Sequence, residues 1–208
     1  MIKKFFAAVI LLMMFAITPD AQAYEYISFR GHVSDYGWQE PVGDGGTIGT
    51  TGESRALEAM VIDFSGGIRY CAHVHDIGWQ NWVYSGEVAG TEGENLPMEA
   101  VRIQLSGRSE QYWDVYYRAH VENYGWLGWA KNGEPAGTEG KNLRLEALQI
   151  QLVEKGTHFR RDNRPAFYRD SDRDRRYRDD YDRDRRYRDD YDRDRRYRDR
   201  YDRDYDRW

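Results

Sequence analysis

Residues 120–152 read HVENYGWLGWAKNGEPAGTEGKNLRLEALQIQL and contain each short motif that recurs elsewhere in the chain. His120-Val121 is followed, after three residues, by Gly125-Trp126. A G-T-x-G turn starts at Gly137, and the triplet Leu145-Glu146-Ala147 comes after it. The stretch ends on alternating apolar residues. A fixed order of motifs is typical of one unit in a repeat protein.

The same motifs occur in the same order twice more, which gives three copies at about residues 27–64, 68–105 and 115–152. Each copy has its own histidine, tryptophan and glutamate, and these nine structural repeat residues are His32, Trp38, Glu58, His73, Trp79, Glu99, His120, Trp126 and Glu146. The spacing between successive copies increases after the second. The additional residues are predicted to lie within 106–114, together with Trp113.

Short β-branched and aromatic segments bounded by glycines predict strands, and no segment between Tyr24 and Lys155 shows a sustained helical period. One copy of this size has too little apolar surface for a core of its own, so stacked copies are expected to share one. The sequence therefore predicts an all-β, closed pseudo-threefold domain. A β-prism is the first choice and a β-trefoil the alternative.

These motifs resemble the hydrophobic tryptophan repeat of clostridial surface proteins, known as the ChW repeat. The resemblance covers residues 27–152 and includes the second tryptophan of the pattern, Trp82 and Trp129, where the first copy has Pro41. It implies an exported protein that engages cell-surface or extracellular polymers, and it implies no reaction.

The N-terminal residues predict a secretory signal peptide, residues 1–23. Two lysines precede an apolar run over residues 5–17, and the small residues Ala21 and Ala23 follow it. The run is shorter than the roughly 20 apolar residues of a membrane span, and small residues suit cleavage after Ala23. We expect a secreted, periplasmic or surface-associated chain without a membrane span once it is cleaved.

The C-terminal residues 160–208 repeat tyrosine, arginine and aspartate, with 19 Arg, 16 Asp and neither Lys nor Glu. With no aliphatic residue after Ala166, this tail is predicted to be disordered, because it cannot bury enough apolar surface to offset the entropy of ordering. Its net charge is +3, whereas residues 24–159 carry −9. An acidic body argues against nucleic acid as a partner, since phosphate contacts need clustered cations.

The repeat glutamates lie at the start of strands that are otherwise apolar, because Glu146, Leu148, Ile150 and Leu152 would share one face of an uninterrupted strand. A buried carboxylate needs a partner, and the repeat histidine or the backbone N–H groups of the G-T-x-G turn are the candidates. Equivalent pairs in three copies favour a structural role over acid–base catalysis. No metal or cofactor is expected. The single cysteine, Cys71, is predicted to be a buried thiol.

The tryptophans make a binding module the leading hypothesis, because aromatic faces are platforms for sugar rings. We expect the first tryptophan of each copy to be core. Trp82, Trp129 and Trp113 are the candidate ligand-binding residues, since an offset of three along a strand would place Trp82 and Trp79 on opposite faces. The expected partner is a polysaccharide or cell-wall polymer, or another surface protein. The alternative is a structural or adhesive surface protein that acts through its tail, without a small ligand.

Overall fold

The computed structural model describes residues 26–170, and this part of the chain is all-β, as the sequence predicts. Each repeat has a long first strand, three strands of two to four residues and a long last strand. Within the described range the one helical element is a 3-10 turn, Ser109–Gln111, and no helix is long and apolar enough to cross a membrane. The predicted signal peptide and residues 171–208 of the predicted tail lie outside the described residues.

The strands of repeat 1 are β1 (Ile27–Val33), β2 (Gly37–Trp38), β3 (Val42–Gly43), β4 (Thr47–Gly49) and β5 (Leu57–Phe64). Those of repeat 2 are β6 (Ile68–Val74), β7 (Gly78–Trp79), β8 (Val83–Tyr84), β9 (Val88–Gly90) and β10 (Met98–Leu105). Those of repeat 3 are β11 (Trp113–Val121), β12 (Gly125–Trp126), β13 (Ala130–Lys131), β14 (Ala136–Glu139) and β15 (Leu145–Glu154), and β16 (Phe167–Arg169) follows.

The first and last strands of each repeat form an antiparallel pair with one face on the core. In repeat 1, Ile27 pairs with Phe64 and Phe29 pairs with Ile62, and all four side chains are buried. Arg30 is the next residue after Phe29 and is exposed, because successive side chains of a strand point to opposite faces. Each pair therefore has an inner apolar face and an outer face.

The repeats exchange their fourth strands. Strand β4 of repeat 1 pairs with β15 of repeat 3, β9 of repeat 2 with β5 of repeat 1, and β14 of repeat 3 with β10 of repeat 2. Three equivalent backbone hydrogen bonds accompany the exchange, from Gly45 N to Ile150 O (2.8 Å), Gly86 N to Ile62 O (2.9 Å) and Gly133 N to Ile103 O (2.7 Å). Every repeat is thus joined to both others, although each of the three sheets is open and none closes on itself.

Buried apolar side chains of all three repeats form one core cluster. Two of its largest members are Tyr70 and Tyr117, whose hydroxyls donate to the backbone carbonyls of Glu87 and Glu134. Burial raises the pKa of Tyr70 to about 12 and raises that of Tyr117 as well. Phe29 occupies the corresponding position of repeat 1 and needs no such acceptor.

The link between repeats 2 and 3 differs from the expectation for Trp113. The 3-10 turn lies in this link, but Trp113 is the first residue of β11 and pairs with Glu154. Its half-buried ring packs against the core cluster. An aromatic residue suits a strand, so the additional residues lengthen the β11–β15 pair as well as the link.

The predicted start of the disordered tail at Arg160 is wrong. The chain stays structured to Asp170, and β16 pairs in parallel with β14 at the edge of the repeat 2 sheet. The expectation relied on the lack of aliphatic residues, whereas aromatic contacts and backbone pairing order this segment. Phe159 stacks on Tyr116 with ring centroids 4.2 Å apart. We call residues 156–170 the strap.

Candidate functional site

The repeat glutamate reaches the outer face through a break in strand register. In repeat 3, His120 pairs with Ala147 but Val121 pairs with Leu145, so Glu146 is an additional residue in the ladder. The same break occurs in the other two repeats. A β-bulge redirects a side chain in this way. The prediction that Glu146 shares a face with Leu148 is therefore wrong, because it assumed an uninterrupted strand.

Each bulge places the glutamate beside the histidine of its own repeat, which is one of the two predicted partners. The distances from Nδ1 to the nearest carboxylate oxygen are 3.1 Å for His32 and Glu58, 3.2 Å for His73 and Glu99, and 3.1 Å for His120 and Glu146. The three glutamates are buried and the histidines are half-buried. The imidazole thus lies between a buried carboxylate and solvent.

The repeat tryptophan packs on this histidine at the outer face. Ring centroids are 5.3 to 5.4 Å apart, and the rings are nearly perpendicular in all three repeats. Trp38, Trp79 and Trp126 are half-buried, so the prediction that they belong to the core is wrong. The presence of this tryptophan in every copy favoured the core, whereas a polar face of imidazole and guanidinium groups holds the ring instead.

A guanidinium group lies over each of these tryptophans. The distances from Cζ to the ring centroid are 4.9 Å for Arg30, 4.2 Å for Arg102 and 4.7 Å for Arg118. Arg30 and Arg118 precede the repeat histidine by two residues, a position that Cys71 occupies in repeat 2. Arg102 lies directly across the strand pair from Cys71. The arginine therefore changes strand in repeat 2 and still covers the tryptophan.

The second tryptophans, Trp82 and Trp129, also lie on the outer faces. Arg69 covers Trp82 at 4.8 Å, and Arg118 lies 4.7 Å from Trp129 as well as from Trp126. The prediction that the two tryptophans of a repeat face opposite ways is wrong, because Trp129 comes after strand β12 and is not part of an extended strand with Trp126. Trp82 and Trp129 are half-buried candidates of the outer face, whereas Trp113 packs against the core.

The first glycine of each G-T-x-G turn brings one repeat close to the glutamate of another. A Cβ atom on Gly90 would lie 2.2 Å from the carbonyl oxygen of Glu58, and Gly90 has a φ of +103°. Gly49 and Gly137 have equivalent contacts with Glu146 and Glu99. All three glycines have positive φ, a backbone conformation that glycine adopts without steric cost.

A glutamine side chain covers two of these glycines. Gly90 N donates to Gln80 Oε1 at 2.7 Å, and Gln80 Nε2 donates to Gly90 O at 3.1 Å. Gln39 binds Gly49 in the same way. Repeat 3 has Leu127 at this position, and Gly137 N donates instead to the carbonyl of Ala166 in the strap. The strap thus replaces a side chain that repeat 3 lacks.

The strap crosses the outer face of repeat 3. Its Phe159 meets the ring of Trp129 edge to face at 5.1 Å, and Arg164 Nη1 donates to the carbonyl of Trp126 at 2.6 Å. Arg161 pairs with Glu134 at 3.3 Å. A Cβ atom on Gly128 would lie 1.9 Å from the carbonyl oxygen of Arg164. Repeat 3 is therefore covered by the chain itself.

Repeat 2 has a second histidine at its glutamate. His75 Nδ1 lies 3.0 Å from Glu99 Oε1, and this hydrogen bond raises the pKa of His75. Both imidazoles, His73 and His75, thus contact one carboxylate. Among residues 26–170, no three His, Cys, Asp or Glu side chains are arranged to hold a metal ion. Cys71 is buried and free, as predicted.

Sequence reasoning did not find Arg30, Arg102 and Arg118. The arginine moves between strands, so alignment of the repeats alone does not bring the three positions together. The equivalence of the three arginines can be recognised only when the strand register is known, because the register places Arg102 opposite Cys71.

Comparison with known proteins identifies one family. The sequence profile described as clostridial hydrophobic W (ChW) matches residues 32–66, 73–107 and 120–154, once in each structural repeat. Neither a curated protein nor a solved structure matches the chain.

Proposed function

We propose that this chain, which belongs to the clostridial hydrophobic W family, is a non-catalytic binding module. Its ligand is carbohydrate or another polymer of the cell envelope or extracellular space. The geometry of the outer faces further supports the proposal. The observation that carries the proposal is the position of the repeat tryptophans. The fold keeps Trp38, Trp79 and Trp126 outside its core, each beside an imidazole, a carboxylate and a guanidinium.

This combination suits a sugar ring. The apolar face of a sugar packs on an aromatic ring, while its hydroxyls need donors and acceptors at the rim. Half-buried tryptophans surrounded by charged side chains offer both. Equivalent faces on one chain also allow weak single contacts to add up along a polymer. We assign the open faces to repeats 1 and 2, because the strap covers repeat 3.

The histidine and glutamate pair has the groups of a general acid and base. We assign it a structural role, which is to hold the tryptophan edge and connect it to the bulge. Three equivalent pairs favour this role, since a catalytic site is usually single. The carboxylates are also buried beneath the imidazoles, away from a substrate on the outer face.

Two broader parts of the proposal concern shape and location. The exchange of strands among all three repeats supports a closed, prism-like arrangement of the three sheets, with a trefoil as the alternative. We also propose that residues 1–23 direct export, so that the module acts in the periplasm, at the cell surface or in the medium.

A second candidate is a structural or adhesive role through the Arg/Asp/Tyr tail. The pairing of Arg161 with Glu134, and of Arg169 with Glu139 at 3.0 Å, favours it, because the first part of the basic segment already binds carboxylates of the acidic body. Such attraction between exposed charges is screened within about 10 Å at 0.1 M salt.

A co-sedimentation assay tests the main proposal. The full chain, after removal of residues 1–23, is mixed with peptidoglycan, cellulose and host glycans at low and at high salt. We expect retention on one polymer that is lost when Trp38 and Trp79 are replaced by alanine. Retention that disappears with salt and ignores both substitutions would support the tail instead. No retention on any polymer would contradict both.

A further inference from the structure

The arginines of the outer faces lack acidic partners. Among residues 26–170, no carboxylate lies within ion-pair distance of the Arg30, Arg69, Arg102 or Arg118 guanidinium groups, although the body is acidic. Arg69 and Arg118 donate to the neutral side chains of Gln104 and Gln149. Within the described residues, none of these four guanidinium groups is therefore in an ion pair.

Repeat 2 has a further unsatisfied group. Arg102 Nε is buried and has no hydrogen-bond partner, and a buried donor without an acceptor costs stability. The Arg102 Cζ atom lies over the Trp79 ring, 4.2 Å from its centroid. A guanidinium fixed on an aromatic ring presents its N–H groups in a fork that matches carboxylate and phosphate oxygens.

The carboxylates on these faces are held by groups other than the arginines that cover the tryptophans. Glu139 lies at the repeat 2 face, where it accepts from Trp79 Nε1 at 3.2 Å and pairs with Arg169 at 3.0 Å. Glu58 and Glu99 are only 3% and 2% exposed, and each lies against a histidine. In repeat 3 the strap brings the carboxylate of Asp162 near Arg118. The pKa of Asp162 is lowered, mainly by its hydrogen bond with Arg164 and also by Arg118. The covered face thus holds an acidic group of the chain itself.

We propose that the open outer faces of repeats 1 and 2 bind the anionic group, a carboxylate or phosphate, of a charged polymer, with Arg30 and Arg102 as the recognising cations. This inference depends on the proposed polymer-binding function and specifies its ligand class. The tryptophan beneath each guanidinium contacts the adjoining sugar ring, and the arginine provides charge and direction.

Three soluble probes test the inference on the full chain without residues 1–23. They are an oligogalacturonate with carboxylates, a glycerol phosphate oligomer with phosphodiesters and a neutral cello-oligosaccharide, each titrated by calorimetry. We expect at least one anionic probe to bind more tightly than the neutral one. Arg30→Gln and Arg102→Gln should each weaken that binding about tenfold, since charge-assisted hydrogen bonds contribute on this scale.

The matched control is Arg108→Gln, at an exposed arginine in the link between repeats 2 and 3. It should bind as the parent does, and the tail, present in every variant, contributes equally to all. Arg30→Lys and Arg102→Lys keep the charge without the planar fork and should give intermediate affinities. Thermal unfolding identifies any variant that fails to fold, and Arg30, being exposed, provides an independent test if Arg102→Gln unfolds.

The outcomes separate this inference from the proposed function. Parent-like binding of anionic probes by folded Arg30→Gln and Arg102→Gln would overturn the inference. Binding of the neutral probe alone, lost on replacement of Trp38 and Trp79, would overturn it and leave the proposed function intact. Failure of the chain to bind these probes and the insoluble polymers would contradict both.

Discussion

The first glycine of each G-T-x-G turn lies against the backbone of another repeat. At Gly90 the backbone has positive φ, and the carbonyl of Glu58 occupies the place where a side chain would begin. Gly93, three residues later, also has positive φ but has no atom within 4 Å of a Cβ. Alanine substitutions at these two glycines therefore separate the free-energy cost of a left-handed backbone from the cost of a steric clash.

Gly90→Ala should destabilise the fold by more than about 3 kcal/mol, because the strained φ and the clash with backbone both act. Gly93→Ala should cost only about 1 to 2 kcal/mol, which is the penalty for left-handed backbone alone. Chemical denaturation of both variants measures the difference. Equal costs would show that the close approach of β9 to Glu58 does not matter for stability.

Alkaline pH should weaken the core through its buried tyrosines. The pKa of Tyr70 is raised to about 12 by burial, whereas an unfolded tyrosine ionises near pH 10. A raised pKa means that stability is fully present below about pH 10 and is lost as the pH rises toward 12. We expect the free energy of unfolding to fall in this window, by about 2 to 3 kcal/mol for Tyr70.

Tyr70→Phe is the variant that checks this assignment. Its free energy of unfolding should be lower at neutral pH, by about 1 to 3 kcal/mol, because the carbonyl of Glu87 and the amide of Ile62 lose a partner. It should also fall less steeply above pH 10. An alkaline slope identical to that of the parent would mean that other groups cause the loss.

At the scale of elements, the strap depends on a local change of sequence in repeat 3. Where repeats 1 and 2 have glutamine and a larger residue after the tryptophan, repeat 3 has Leu127 and Gly128. The leucine leaves Gly137 N free for the Ala166 carbonyl, and Gly128 leaves room for the Arg164 backbone. This difference could be seen in the sequence, but its meaning needed the position of β16.

Gly128→Ala should displace the strap, because its Cβ would lie 1.9 Å from the carbonyl oxygen of Arg164. We expect faster tryptic cleavage at Arg160 and Arg161 and stronger iodide quenching of tryptophan fluorescence. Asn81→Ala, at the equivalent exposed position of repeat 2, is the matched control and should resemble the parent. Unchanged proteolysis of Gly128→Ala would show that the strap does not need this glycine.

Recurrence in the sequence was sufficient for the repeats, the strands and the glycine turns, and it left two candidate partners for the glutamate, of which the histidine is one. Recurrence did not predict the direction of the glutamate side chains where the strand register breaks. Alternation of side chains along a strand cannot indicate a bulge at Glu58 or Glu146. Recurrence also misplaced Trp38, since a ring that every repeat holds on a charged outer face recurs as regularly as one in the core. The strap was missed because aromatic contacts and edge pairing replaced the expected aliphatic core.

For the whole molecule, exchange of strands means that no repeat is complete alone. Deletion of residues 115–152 would remove β14 from β10 and leave β4 without β15. We expect the remaining two repeats to lose cooperative unfolding, because their apolar faces lose the third side of the core. A single sharp transition in calorimetry of this shortened chain would contradict a core shared by three repeats.

We propose above that the outer-face tryptophans of repeats 1 and 2 contact a polymer. The most direct measurement is the ¹H–¹⁵N spectrum of the indole groups of the full chain, titrated with soluble peptidoglycan fragments and with oligogalacturonate. Replacement of each tryptophan in turn by phenylalanine assigns the seven indole signals. We expect the signals of Trp38 and Trp79 to shift with one of these probes while that of Trp113, against the core, stays in place. Shifts confined to Trp113, or no shift with either probe, would contradict polymer contact by these tryptophans.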